Sequence, residues 1–219
     1  MNELRTRGVL FDLDGTLADT APDLGAALNR LRSESGLPEL PPEVLRPHTS
    51  AGARGLIGAG FRITPDDERY AALASRFLVI YETALCVQTR LFEGMGEVLT
   101  RLELASLPWG VVTNKAARFT LPLMRELGLH ERASSIVSGD SVPVPKPDPA
   151  GLILAAEEME VDPARCIYVG DDLRDIEAGR AAGMRTVTAA FGYLGSGTHY
   201  RDWGADHIIH HPLELLTLL

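Results

Sequence analysis

Short apolar runs at 8–11, 109–112, 135–137, 166–169, 186–189 and 207–209 recur along the 219-residue chain, several giving way at once to Gly, Asp or Asn. Runs this short and this uniformly apolar suit strands buried on both faces, as in a parallel sheet covered by helices. Helical spacing fills the intervals at 94–105, 116–128, 148–160, 173–183 and 212–219. Strand and helix therefore alternate from about residue 90 onward, which predicts an α/β fold with a doubly wound parallel sheet.

The stretch between the first run and Leu91 breaks this rhythm and reads as wholly helical. Thr64-Pro65-Asp66-Asp67 predicts a helix start, with proline in the first turn and acids at the positive end of the helix. Tyr70, Leu73, Phe77, Tyr81 and Ala84 then recur every three or four residues as a buried stripe. Phe77 and Tyr81 are thereby assigned to a core, not to an aromatic binding box. Turn residues Gly36-Leu37-Pro38 and Pro41-Pro42 divide the earlier part, giving about four helices. The expected organisation is an all-helical cap at 20–86 inserted into a core built from 1–19 and 87–219.

Composition narrows the function. A 45% hydrophobic and 23% charged content marks a globular chain with a sizeable core, and no apolar run is long enough to cross a membrane. Residues 1–7 lack a small-residue cleavage site, so no exported leader is expected. Cys86 and Cys166 have no companions at metal-ligand spacing and suit free thiols in a reducing cytoplasm. A net charge of −9 opposes nucleic-acid binding.

The chemistry-bearing residues lie at the ends of the apolar runs. Val9-Leu10-Phe11-Asp12-Leu13-Asp14-Gly15-Thr16 ends in two carboxylates at i and i+2, which are expected to share the carboxyl end of a strand, where open α/β sheets bind ligands. Like charges so close call for a cation, and a hard ion such as Mg²⁺ prefers oxygen ligands. Val169-Gly170-Asp171-Asp172-Leu173-Arg174-Asp175 is a second strand end with acids; Asp171 and Asp175 read as site residues and Asp172 as a helix cap. Val112-Thr113-Asn114-Lys115 offers a hydroxyl and a cation, and Lys146 lies between prolines in Pro143-Val144-Pro145-Lys146-Pro147. Thr113 and Lys146 together suggest an anion site.

Taken in order, these four motifs resemble those of the haloacid dehalogenase-like hydrolase superfamily, over essentially the whole chain and including the position of the insertion. The resemblance implies a Rossmann-like core and a phosphomonoesterase. In it Asp12 attacks phosphorus to give an aspartyl-phosphate, while Asp14 protonates the leaving oxygen and then deprotonates water. It further implies Mg²⁺ held by Asp12, the Asp14 backbone carbonyl, Asp171 and Asp175. Thr113 and Lys146 would hold phosphoryl oxygens, with Asn114 and Lys115 in the binding set and the backbone amides of Leu13 and Asn114 assisting. Asp14 speaks against the carbon–halogen hydrolases of the superfamily, which lack a second acid in that place; a sugar phosphomutase would use the same acids. A phospho-accepting receiver domain resembles the pattern only loosely, since it sets its acids on different strands and has no cap.

Within the superfamily the motifs are most similar to the phosphoglycolate phosphatase group, in Phe11-Asp12-Leu13-Asp14-Gly15-Thr16-Leu17 and Val112-Thr113-Asn114-Lys115. Leu91-Phe92-Glu93-Gly94-Met95 and Trp203-Gly204-Ala205-Asp206 are similar to the N-acetylmuramic acid 6-phosphate phosphatases. Asp172 departs from the serine common in the first group. Phosphoglycolate is the first expectation and N-acetylmuramic acid 6-phosphate the alternative, a small phosphorylated metabolite in either case, with a monomer or homodimer in the cytoplasm. Ser50-Ala51-Gly52-Ala53-Arg54-Gly55 is the expected specificity loop, with Arg54 pairing a substrate carboxylate. His207, His210 and His211 read as dispersed, not as a metal site, and the 192–197 glycine run as a loop beside the active face.

Overall fold

Strand β1 (Gly8–Phe11) is buried along its whole length and pairs in parallel with two neighbours from distant sequence, β4 (Trp109–Val112) and β6 (Cys166–Gly170). These coordinates come from a computed structural model that describes residues 6–195 and 197–219. The leader reading of the first residues, and Ser196 within the glycine run, lie outside the described residues.

With β5 (Ser135–Val137), β7 (Arg185–Ala189) and β8 (His207–Ile209) the six-stranded sheet has the order β5-β4-β1-β6-β7-β8, and every pair in it is parallel. The chain winds outward from β1 in one direction and then returns to its other side. The crevice between β1 and β6 is thus the point where ligands bind in such sheets.

Helices α5 (Met95–Leu104), α6 (Ala117–Glu126), α7 (Ala150–Glu158) and α8 (Leu173–Ala181) supply the crossovers between the core strands. Successive residues of β1 divide between two cores: Val9 and Phe11 join Trp109, Val111, Leu99 and Met124, while Leu10 joins Val112, Tyr168, Leu152 and Ala155. Phe11 and Trp109 meet edge to face at 6.5 Å. Each such fully buried side chain stabilises the sheet by about 1.5–3 kcal/mol, which accounts for the continuous apolar runs.

The stretch read as wholly helical is bounded by two short strands, a correction to the sequence expectation. Strands β2 (Ala18–Asp19) and β3 (Arg90–Leu91) pair antiparallel and close the base of the insertion. Two residues are too few to show an alternating pattern. Between them lie α1 (Ala21–Glu34), α2 (Pro42–Leu45), a 3₁₀ turn at Arg46–Ala51, α3 (Gly52–Phe61) and α4 (Tyr70–Glu82). Asp23 fastens the base further, accepting hydrogen bonds from the Thr89 amide at 2.8 Å and the Thr89 hydroxyl at 2.7 Å.

Helix α4 begins at Tyr70 and not at Thr64, and it ends before Ala84. Asp67 Oδ1 accepts from the Arg69 amide at 2.9 Å, and this local turn competes with helix formation through the acids. Leu24, Leu28, Leu56, Ile57, Phe77 and Tyr81 form the insertion's own apolar cluster, and Phe119 of α6 enters it from the sheet side. The expected last helix is a 3₁₀ segment, Pro212–Thr217, where His211 Nδ1 accepts from the Leu213 amide. No helix among the described residues is long and apolar enough to cross a membrane.

Candidate active site

Asp12 follows β1 and Asp171 follows β6, so the parallel pairing of those strands brings two carboxylates to the crevice where the winding reverses. Asp175 joins them from the first turn of α8. Ligand atoms of the three lie within 4.8 Å of one another. The backbone closes around them: a Cβ at Gly15 would stand 2.2 Å from Asp171 Oδ2, and one at Gly192 would stand 2.3 Å from the Gly15 carbonyl. Gly15 also has φ +87°, so both space and backbone conformation demand glycine there.

Such a cluster is costly without a cation. Burial pushes the Asp12 carboxyl up to about 7, against the pull of Lys146 and with added repulsion from Asp175 and Asp14. Asp171 is raised well above the aspartate range by burial and by the charges of Asp12 and Asp175. Asp171 accepts from the Thr16 hydroxyl at 3.0 Å and the Tyr193 amide at 2.8 Å. Lys146 Nζ lies 2.9 Å from Asp12 Oδ1 and 2.7 Å from Asp175 Oδ1. Burial opposes its ammonium, yet the two carboxylates outweigh that penalty and hold its pKa above the usual lysine value. Although paired in charge, Asp12 Oδ1 is buried with no hydrogen-bond donor aligned to it.

The Asp14 side chain lines the same cavity as Asp12 but stands outside the three-acid cluster. It turns to Lys115 Nζ at 2.9 Å and to the Thr20 hydroxyl at 2.6 Å. Strand β1 ends at Phe11, so alternation no longer governs side-chain direction at Asp12 and Asp14. Both expected phosphate-binding lysines are therefore already paired with carboxylates, Lys115 with Asp14 and Lys146 with Asp12 and Asp175. Thr113 is buried at the end of β4, where its Oγ1 accepts from the Lys115 amide at 3.2 Å. Asn114 grips the loop that carries Lys146, donating from Nδ2 to the Lys146 carbonyl at 2.9 Å.

Asp172 caps α8 as expected, accepting from the Arg174 amide at 3.0 Å, and Asp175 Oδ2 accepts in turn from the Asp172 amide at 3.1 Å. This reciprocal box leaves Asp175 Oδ1 for Lys146. Tyr168 is a site residue that the sequence reading missed. Its hydroxyl lies 3.0 Å from Asp175 Oδ1 and 2.8 Å from Lys146 Nζ. A phenol in the middle of a buried strand, two residues before the Gly170-Asp171 turn, is the signal that could have found it.

Above the acids a cavity of about 320 Å³ separates the sheet from the inserted helices. Its floor includes Asp12, Asp14, Thr113, Asn114, Lys115, Lys146 and Asp175. Its apolar wall includes Leu24, Phe77, Leu78, Tyr81 and Phe119. Tyr81 thus serves both as core and as wall, and its ring lies 4.7 Å from Lys115 Nζ. Ser50, Ala51, Gly52 and Ala53 line the cavity, but Arg54 is exposed and does not. Arg174 closes one side: its guanidinium bonds Asp172 at 2.8 Å and donates to the Ser50 carbonyl of the insertion, also at 2.8 Å.

Known proteins are similar to this chain in sequence and in fold. The sequence profile of the haloacid dehalogenase-like hydrolases matches residues 9–189. An N-acetylmuramic acid 6-phosphate phosphatase of Pseudomonas putida is 46% identical over 212 residues, covering 97% of this chain and 95% of that protein. A phosphoglycolate phosphatase of Xanthomonas campestris pv. campestris is 42% identical over 209 residues, covering 95% and 94% respectively. In overall fold, a solved haloacid dehalogenase-like family hydrolase from Streptococcus pneumoniae superposes with a TM-score of 0.83 at 21% identity, over 97% of this chain and 98% of that one.

Proposed function

The chain belongs to the haloacid dehalogenase-like hydrolases, and we propose that it is a Mg²⁺-dependent phosphomonoesterase for which N-acetylmuramic acid 6-phosphate is the best-suited ester. The observation that carries the reaction class is the convergence of Asp12, Asp171 and Asp175 on one buried point beside Lys146. An all-oxygen donor set of three clustered carboxylates fits a hard divalent cation. Asp12, Asp171 and Asp175 would hold it, with the Asp14 carbonyl as a further ligand. Bound there, Mg²⁺ would offset the clustered negative charge and polarise the phosphoryl oxygens.

The residues divide the work. Asp12 attacks phosphorus as its carboxylate; the P–O bond to the leaving group breaks as Asp14 passes a proton to the departing oxygen. In the second half Asp14 takes a proton from water, water attacks the aspartyl-phosphate, and inorganic phosphate and Asp12 are released. Lys115 and Thr20 keep Asp14 aimed into the cavity through both steps. Lys146 and Thr113 offset charge on the phosphoryl oxygens. Phosphate-monoester hydrolysis needs accelerations of up to ~10²¹, so a covalent step, a cation and a lysine acting together suit it better than one acid–base pair.

Residues 20–86 act as the cap over a core of 1–19 and 87–219, excluding water during transfer. The size and wall of the cavity favour the larger ester: a two-carbon glycolate would leave most of about 320 Å³ to water. Five apolar or aromatic side chains suit the ring and N-acetyl group of an amino sugar. Phosphoglycolate is the second reading, supported by the name of the Xanthomonas relative. A panel of phosphate esters assayed for released phosphate with Mg²⁺, and without any bisphosphate primer, decides between these readings and a mutase. N-acetylmuramic acid 6-phosphate should show the highest kcat/KM.

A further inference from the structure

We infer that Arg118 is the residue that reads the carboxylate of the leaving group, the role the sequence assigns to Arg54. The inference rests on the phosphomonoesterase reading of the same cavity and goes beyond it by naming how one ester is selected. Four cations line the cavity: Lys115, Lys146, Arg118 and Arg174. Three are satisfied within the protein. Lys115 pairs with Asp14, Lys146 with Asp12 and Asp175, and Arg174 with Asp172, at 2.9 Å or less in each case. Arg118 alone among them has no carboxylate partner among the described residues.

Arg118 is exposed, as Arg54 is, but it lines the cavity and its guanidinium is placed. The Cζ atom lies 4.4 Å from the centre of the Phe119 ring, and Phe119 is buried in the apolar cluster shared with the insertion. A cation–π contact with a buried ring holds the guanidinium in place while leaving N–H donors for a bidentate carboxylate. Arg118 sits in the first turn of α6, directly after the Thr113–Lys115 strand end, so it belongs to the rigid core and not to the cap. Phosphoryl binding uses the acids, Lys146 and Thr113 at the floor. Arg118, a lining cation without a carboxylate partner, is left to meet the leaving group, where N-acetylmuramic acid bears its lactyl carboxylate.

The test is the ratio of kcat/KM for N-acetylmuramic acid 6-phosphate to that for N-acetylglucosamine 6-phosphate, which lacks the lactyl acid. The wild type should prefer the first. Arg118→Ala should lower that ratio about 10-fold or more, as expected for loss of a charge-assisted bond. Arg118→Lys should recover part of it, and Arg54→Ala should leave it unchanged. An unchanged ratio in Arg118→Ala overturns the inference, as does an equal loss on both esters, which would mark Arg118 as support for the fold or for closure. If the wild type hydrolyses phosphoglycolate but neither sugar ester, the amino-sugar reading fails, and the ratio of phosphoglycolate to ethyl phosphate decides Arg118 by the same criterion. Hydrolysis of carboxylate-free esters alone overturns both.

Discussion

Asn114 holds the Lys146 peptide from both sides, its Nδ2 donating to the Lys146 carbonyl and its Oδ1 accepting from the Lys146 amide, each at 2.9 Å. The strand end that offers Thr113 therefore also fixes the loop that offers the buried lysine. An amide side chain is the right group because it carries a donor and an acceptor in one plane.

Asn114→Ala should accordingly act on Lys146. Two backbone groups lose their partners at a part-buried position, at a cost in stability of about 1 kcal/mol. The larger effect should be on kcat, a fall of roughly 10- to 100-fold, since a displacement near 1 Å is enough to produce it. Denaturant melts and steady-state kinetics on the same preparation separate the two; a loss of stability with unchanged kcat would show that Lys146 does not depend on this grip.

Removing one acid from the cluster should have opposite effects with and without metal. Asp171 is fully buried and raised by burial and by its acidic neighbours. Without a divalent cation, Asp171→Asn should melt no lower than the wild type, because one buried charge has been removed. Saturating Mg²⁺ should raise the wild-type Tm, with about 2.7 kcal/mol of stabilisation at a hundredfold excess over Kd, and should hardly move the variant. Chelation should stop wild-type catalysis reversibly. Equal Mg²⁺ responses in both proteins would contradict the metal assignment.

At the far edge of the sheet, Asp206 accepts from the Thr186 amide at 2.7 Å and its hydroxyl at 2.9 Å. Burial pushes its carboxyl up, but these bonds outweigh it and hold the pKa below the ordinary value of 3.8. A depressed folded-state pKa stabilises the protein above the unfolded value and loses that contribution as pH falls through the folded one. Asp206→Asn should therefore be less stable than the wild type at neutral pH, and the gap should close below about pH 4. Stability measured by urea titration across pH 3–7 checks this; a constant gap would assign the effect to shape and not to charge.

Much of the cavity floor is legible in the sequence because strand ends are legible. The runs are short and uniformly apolar, so the sequence alone places Asp12, Thr113 and Asp171 at the carboxyl edge. Lys146 was visible through the prolines around it. What escaped were relationships set by the third dimension. Asp14 turns to Lys115 and Thr20 because the strand has already ended at Phe11, and periodicity is silent past the last strand residue. The β2–β3 ribbon has two residues to each strand, too few for any pattern. Tyr168 looked like core because its ring is core; only its hydroxyl belongs to the site. Arg54 and Arg118 are alike as letters in a sequence. Which of them reaches the cavity depends on how α3 and α6 pack around it.

The central claim is that Asp12 is the nucleophile, and turnover by Asp12→Asn in excess Mg²⁺ tests it most directly. The amide is nearly isosteric with the carboxylate but a poor nucleophile, so the variant should fold with the wild-type circular dichroism spectrum. The account predicts a fall in kcat of at least about 10³-fold on N-acetylmuramic acid 6-phosphate, with no phosphoenzyme trapped by acid quench. A folded variant that keeps more than about a hundredth of the wild-type kcat would contradict the covalent mechanism, because loss of a covalent nucleophile costs well beyond that.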